Sequence, residues 1–227
     1  MTRKTAMILA AGRGERMRPL TDSVPKPMLK VQAKPLIEYH LEALKRAGYE
    51  RVVINHAWLG QQIETAVGTG ERFGLEILYS VEIQALETAG GISKALPLLC
   101  PSEEDEMFTV INGDIFTDFD FDALPAHLDE GIEAHLVMVG NPSHNPEGDF
   151  YFTHQGLDPN QGLKLTFSGI AVYNKGFFAN VNSAVKPLAP MLRTAISQGV
   201  VGAQHFTGQW TDVGTPQRLT ELNKTNS

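Results

Sequence analysis

Residues 9–27 carry the chain's most chemically suggestive run: Leu9-Ala10-Ala11-Gly12-Arg13-Gly14-Glu15-Arg16-Met17-Arg18-Pro19-Leu20-Thr21, and then Pro25-Lys26-Pro27. Glycines let a backbone approach a ligand closely, and exposed N–H groups after a strand can hold phosphate oxygens. Arg16 adds a planar charged fork for such oxygens. Prolines on both sides of Lys26 predict an extended segment that aims one ammonium at a fixed place. The set suits a triphosphate. Charge agrees: residues 1–34 hold eight basic and two acidic residues, a local +6, and the remainder is −13. A positive segment on an acidic body fits a small polyanion.

Two common phosphate loops do not match. The dinucleotide fingerprint GxGxxG needs glycine at 17, where Met17 stands, and no helix follows at once. The second predicted strand ends at Asn55 and not at an acid that could hold a ribose. The P-loop pattern GxxxxGK[ST] is absent.

The loop needs a scaffold, and apolar runs supply one. Runs at 5–9, 51–55, 75–80 and 108–112 read as strands; helical spacing marks 35–48, 59–67 and 91–99. Alternating strands and helices with short links predict an α/β fold: a Rossmann-like, mostly parallel sheet with helices on both faces. Ligands then bind at the carboxyl ends of the strands. The pattern weakens into a helix at 121–128 and a strand at 134–139. Strands at 149–154 and 165–173 follow, then helices near 187–197 and 216–223. With no repeat or linker, we expect a single domain over 1–227, with a core at 1–140 and a second lobe at 141–227 completing the same sheet.

Composition excludes several classes. At 42% hydrophobic and 20% charged residues, 227 residues predict neither disorder nor a coiled coil. Net charge −7 argues against a general nucleic-acid binder. No apolar run approaches the roughly 20 residues of a membrane span. The apolar stretch near the start breaks at Gly12–Arg16, so we expect a cytoplasmic protein with no leader. The single Cys100 excludes an internal disulfide and suits a reducing compartment. Seven histidines show no metal spacing, His40 reads as packed, and Ser168 lacks a GxSxG context. Asp118, Asp120 and Asp122 read as a helix start, hence structural.

The run LAAGxGxRxxPLT…PKP resembles the signature of the sugar-1-phosphate nucleotidyltransferases. Leu86-Glu87-Thr88-Ala89-Gly90-Gly91 is similar to that family's base-facing loop. Asn112-Gly113-Asp114 and Trp210-Thr211-Asp212-Val213-Gly214-Thr215 are similar to its two metal-bearing segments. The likeness runs in order along nearly the whole chain. It implies an enzyme that joins a nucleoside triphosphate to a sugar 1-phosphate with Mg²⁺ held by Asp114 and Asp212. Arg16, Lys26 and Asp114 would be catalytic. Ala11, Gly12, Gly14, Glu15, Arg16, Lys26, Glu87 and Gly90 would meet the nucleotide, with Glu82 also on the base side. Asn112, Asp149, Ser168 and Gly169 would meet the sugar, making 141–227 the sugar-binding lobe.

Hydrogen-bond logic does not choose the base, since one acceptor could take N3–H of uracil or N1–H of guanine. Many members carry Glu-Lys where this chain has Gly148-Asp149-Phe150, so the sugar phosphate needs another partner. Segments 53–60, 86–88, 148–150 and 166–170 look most like the short members that transfer UMP from UTP to N-acetyl-α-muramate 1-phosphate in cell-wall sugar recycling. Ala85 and Ala89 depart from that subgroup. Mannose-1-phosphate guanylyl transfer is the alternative, and a non-catalytic nucleotide-sugar sensor a second one. A sensor would be expected to lose Arg16, Lys26, Asp114 or Asp212, and all four are present. Partners are then small-molecule substrates, with no nucleic acid or membrane. The oligomeric state is left open, a monomer being permitted.

Overall fold

A computed structural model describes residues 3–181 and 185–225. The first apolar run forms β1 (Thr5–Leu9), and two-residue strands β2 (Lys30–Val31) and β3 (Lys34–Pro35) lead into α1 (Leu36–Arg46). Then come β4 (Arg51–His56), α2 (Gly60–Val67), β5 (Glu76–Val81), α3 (Glu87–Leu99), β6 (Met107–Asn112) and β7 (Ile115–Thr117). β8 (Ala134–Val139), β9 (Phe150–Thr153), β10 (Gly156–Asp158) and β11 (Leu163–Asn174) follow. The chain continues through α4 (Ala189–Ser197), β12 (Val201–Phe206), β13 (Trp210–Asp212) and α5 (Pro216–Thr225).

Among the described residues nine strands make one mixed, mostly parallel sheet in the order β10-β9-β11-β6-β1-β4-β5, with β8 joined to β11 and β12 to β8. β5, β4, β1 and β6 run parallel, whereas β11 lies antiparallel to β6, β8 and β9. Side chains alternate across a strand, so one strand feeds both faces. Met7 and Val53 pack with Ile92 and Leu99 of α3 and Leu192 and Ile196 of α4. Ala6, Ile8, Val52 and Ile54 pack on the other face with Ile37, Leu41 and Leu44 of α1 and Ile63 of α2. A third, smaller cluster joins Met17, Leu29, Val31 and Leu36 to Val213 and to Leu222 of α5. Asn223 fastens the same contact, accepting from the Gln32 amide at 2.7 Å. No helix among the described residues is long and apolar enough to cross a membrane.

Three expectations change. The helix predicted at 121–128 is one 3₁₀ turn, Phe121–Ala123, capped by the Asp120 side chain on the Asp122 amide at 3.1 Å. Pro125 lacks the N–H a longer helix needs and biases Leu124 to the extended conformation it adopts. Second, α3 starts at Glu87, so the expected base-facing loop is partly helical. Third, β7, β10, β12 and β13 were not anticipated. β7, β10 and β13 have three residues each, too few for a period to show, and β12 is broken by Gly202 and polar Gln204.

His40 on α1 is buried, as its packed reading required. Burial lowers its pKa to about 4, against smaller opposing effects of Asp114 and the Ile115 backbone. The unfolded chain takes up this proton near pH 6.5 and the folded chain does not. Stability should therefore fall as pH drops from 6.5 towards 4, by roughly 2 kcal/mol between pH 6.5 and 5 from this group. Urea melts of the protein and of His40→Gln at both pH values check this. The variant should lose that part of the slope.

Candidate active site

The carboxyl ends of β1, β4 and β5 lie side by side, and a chain of buried hydrogen bonds ties them together. The Ala10 amide donates to Asn55 Oδ1 at 2.9 Å, Asn55 Nδ2 donates to Glu82 Oε1 at 2.7 Å, and the Leu86 amide donates to Glu82 Oε2 at 2.9 Å. Glu82 thus fixes the approach to α3. It also explains Gly91 within that helix: a Cβ there would lie 2.7 Å from the Glu82 carboxylate. Glu87 opens α3 with φ +58°, a strained position for a side-chain-bearing residue, and its neighbour Thr88 faces the same cleft.

A cavity of about 250 Å³ opens at these strand ends, lined by Ala11, Gly12, Gly14, Lys26, Glu87 and Asp114 among others. Gly14 adopts φ +69°, which lets the loop turn. Thr21 then closes it by donating to the Gly14 carbonyl at 2.8 Å. Arg13 donates to the Thr21 carbonyl at 2.8 Å, pairs with Asp22 at 3.1 Å and lies 4.1 Å from the Trp58 ring centroid. Arg18 pairs with the same Asp22 at 2.8 Å. Two of the loop's arginines therefore hold the loop itself. Arg16 is exposed and has no partner among the described residues, so its guanidinium is available to a ligand. Glu15 and Arg16 sit on the turn after Gly14 and do not line the cavity. The Trp58 contact was not anticipated; a tryptophan beside a polar loop was its one sequence signal.

Lys26 is not extended. It begins a 3₁₀ turn, Lys26–Met28, with Pro25 before it and Pro27 inside it, because proline suits a first helical turn as well as an extended stretch. Its ammonium pairs with Asp114, and its side chain is only 12% exposed. Asp114 follows the tight Gly113 turn, where a Cβ would stand 2.7 Å from the Leu9 carbonyl. β7 and β13 form an antiparallel pair with Asp212 opposite Ile115, and the Val213 amide donates to the Asp114 carbonyl at 2.7 Å. This ribbon brings Asp212 to a backbone position neighbouring Asp114, although Asp212 does not line the cavity. Asp212 accepts from Arg218, and His144 Nε2 lies 3.0 Å away. Neither partner was anticipated, since His144 is 68 positions from Asp212 and no local pattern links them.

A second cavity of about 460 Å³ adjoins the first, sharing Leu9, Glu87, Thr88 and Asn112. Asp149 and Gly169 line it, as does Arg193 from α4. The Asp149 carboxylate accepts from the Phe167 amide at 2.8 Å and Asn145 Nδ2 at 3.1 Å, so it also anchors β11. Besides Glu15, Arg16 and Asp212, two more expected site residues line neither cavity. Ser168 is buried, accepting from the Ile170 amide at 3.1 Å, because its side chain takes the face opposite the cavity. Gly90 is buried and gives its amide to the Lys186 carbonyl at 3.3 Å.

Gly12 offers a direct check on the loop. No atom lies within 4 Å of a Cβ added there, so Gly12→Ala should leave stability within about 0.5 kcal/mol. If the loop takes a triphosphate, as its sequence leads us to expect, the methyl would stand where a phosphate approaches the backbone. KM for the nucleoside triphosphate should rise by about tenfold or more, read by pyrophosphate release beside a thermal melt.

A glycine loop at the strand ends, a lysine–aspartate pair and an adjoining ligand-sized cavity define a nucleotide-handling α/β enzyme. The chain belongs to the nucleotidyl transferase family, whose model matches residues 5–153. It is 52% identical over 95% of both chains to the N-acetylmuramate alpha-1-phosphate uridylyltransferase of Neisseria meningitidis serogroup B. It is 30% identical, over 93% of its length, to the catalytic subunit beta of Drosophila melanogaster mannose-1-phosphate guanylyltransferase, of which it spans 60%. Its fold matches a Bacillus anthracis structure described as a glucose-1-phosphate thymidylyltransferase, with TM-score 0.83, 21% identity and coverage of 99% and 95% of the two chains. The relatives are sugar-1-phosphate nucleotidyltransferases, as the motifs had implied.

Proposed function

We propose that the protein transfers UMP from UTP to N-acetyl-α-muramate 1-phosphate, releasing pyrophosphate and forming UDP-N-acetylmuramate. The observation that carries this reading is the 52% identity along 95% of both chains with a uridylyltransferase of that specificity. The bond that forms joins a sugar-phosphate oxygen to the α-phosphorus; the bond that breaks releases pyrophosphate. The nucleophile is already an anion, so no general base is needed. The protein must bring two anions together and offset the charge that develops. Gly12 and Gly14 give the triphosphate close access to the backbone, and Arg16 is free to take its outer oxygens. Lys26, fixed between prolines, is the cation for the reacting phosphates. Asn112 lies at the junction of the two cavities, between nucleotide and sugar.

Asp114 and Asp212 would hold Mg²⁺. Their fit rests on the donor set: two carboxylates at neighbouring positions of one ribbon, with no group of three or more metal-binding side chains among the described residues. That suits an ion that keeps waters and substrate phosphates as its other ligands. When bound, it supplies positive charge at the phosphates. The reading implies a cytoplasmic role in cell-wall sugar recycling, and a lone cysteine is compatible with a reducing compartment. Pyrophosphate release with UTP or GTP, each paired with N-acetylmuramate, N-acetylglucosamine or mannose 1-phosphate, tests it. UTP with the muramate should be turned over best; a preference for GTP with mannose 1-phosphate would replace the substrate assignment.

A further inference from the structure

Among the described residues one cation faces the second cavity, and none of the interactions given so far uses it. Arg193, on the second turn of α4, lines that cavity with its guanidinium 5.6 Å from the Phe150 ring centroid. It makes no hydrogen bond or ion pair with any described residue, in contrast to Arg13 and Arg18, which are held by Asp22. Its place along the cavity is informative. The junction with the nucleotide cavity is formed by Leu9, Glu87, Thr88 and Asn112, and the reacting phosphate belongs there, near Lys26 and Asp114. Arg193, Asp149 and Phe150 line a further hollow of about 230 Å³ on the other side, and none of the three lines the nucleotide cavity. Arg193 therefore stands at the end of the sugar cavity remote from the reacting phosphorus.

A guanidinium presents up to five N–H donors in a planar fork that matches a carboxylate in two parallel bonds. N-acetylmuramate 1-phosphate differs from N-acetylglucosamine 1-phosphate by a lactyl ether, whose carboxylate is its one anion away from the phosphate. The acidic groups lining the cavity, Glu87 and Asp149, would repel that carboxylate, and Asp149 is engaged with Phe167 and Asn145. We propose that Arg193 binds the lactyl carboxylate and sets the preference for the muramate over the glucosamine acceptor. This inference rests on the acceptor assigned under the proposed function.

The test measures kcat/KM with UTP for both acceptors, in the wild type, Arg193→Ala and Arg193→Lys. In Arg193→Ala the ratio of muramate to glucosamine kcat/KM should fall by roughly 10- to 100-fold, the loss of a charge-assisted pair, mostly as a higher KM for the muramate. Arg193→Lys should recover part of that ratio. A ratio unchanged in Arg193→Ala, whether both rates hold or fall together, would overturn the inference while leaving the acceptor assignment standing. A wild type that shows no preference for the muramate would instead overturn the acceptor assignment, and the role of Arg193 with it. Residue 193 is exposed, so a thermal melt of each variant should match the wild type.

Discussion

Asp114→Asn should lower kcat/KM for pyrophosphate release by about 10³-fold and raise the Mg²⁺ concentration needed for half-maximal rate. The amide keeps the size of the side chain and leaves the backbone bond from Val213 intact. What disappears is the negative charge, which pairs with the Lys26 ammonium and, in the proposed reading, would also hold the metal. Loss of the ion pair should cost about 1–2 kcal/mol of stability, far too little to explain the catalytic effect. Lys26→Ala should also be severe, and combining the two changes should cost less than the sum of their separate effects, because the two side chains are paired and the proposed function puts both at one reacting phosphate. Wild-type turnover with ordinary Mg²⁺ dependence in Asp114→Asn would remove this carboxylate from the metal set.

Gly169→Ala should damage both stability and turnover. Gly169 has φ +82°, which alone costs an alanine about 1–2 kcal/mol. A Cβ there would also lie 2.5 Å from Asn112 Nδ2 and 2.9 Å from Asn112 Cβ. The second contact is at the root of the side chain and cannot be relieved by a rotamer change, so overpacking adds about 1–3 kcal/mol. A total near 3 kcal/mol should lower the melting temperature by roughly 6–12 °C in a chain of this size. Asn112, pushed from the junction of the two cavities, should take activity down with it. Gly156→Ala is the control: φ is +114°, but no atom lies within 4 Å of the added Cβ. If Gly169→Ala were no more destabilising than Gly156→Ala, the clash with Asn112 would carry no weight.

The sheet's parallel core was legible because each strand is a short apolar run ended by a breaker: Leu9 before Ala10-Ala11-Gly12, Asn112 before Gly113. The glycine-rich loop at the strand ends was legible for the same local reason, as its residues lie within one stretch of chain. Reading failed where distance decided. The start of α3 at Glu87 was missed, residues 86–90 reading as a loop, and the space a side chain at Gly91 would take is filled by Glu82 and Asn55 from two other segments. Ser168 sits one residue from Gly169 in β11, and period-two alternation alone sends it away from the cavity. The pairing of Asp212 with His144 and Arg218 depends on three segments meeting, and Arg193 reaches the second cavity only because α4 packs beside β10 and β12. The helix expected at 121–128 had a local warning in Pro125 that the apolar spacing outweighed.

The small cluster beneath the phosphate loop has a consequence for how the protein is made. Met17, Leu29, Val31 and Leu36 leave the ribosome early, but their apolar partners Val213 and Leu222 are synthesised nearly two hundred residues later. The β7–β13 ribbon that brings Asp212 beside Asp114 has the same order of synthesis. The parallel strands β1, β4, β5 and β6 can pair while translation continues, yet the loop at their ends stays without its underside until α5 emerges. A nascent chain arrested before residue 213 should therefore hold a formed sheet and a phosphate loop that proteases still cut. In the proposed reading, competence to bind nucleotide would then arrive abruptly, as residues 213–225 emerge.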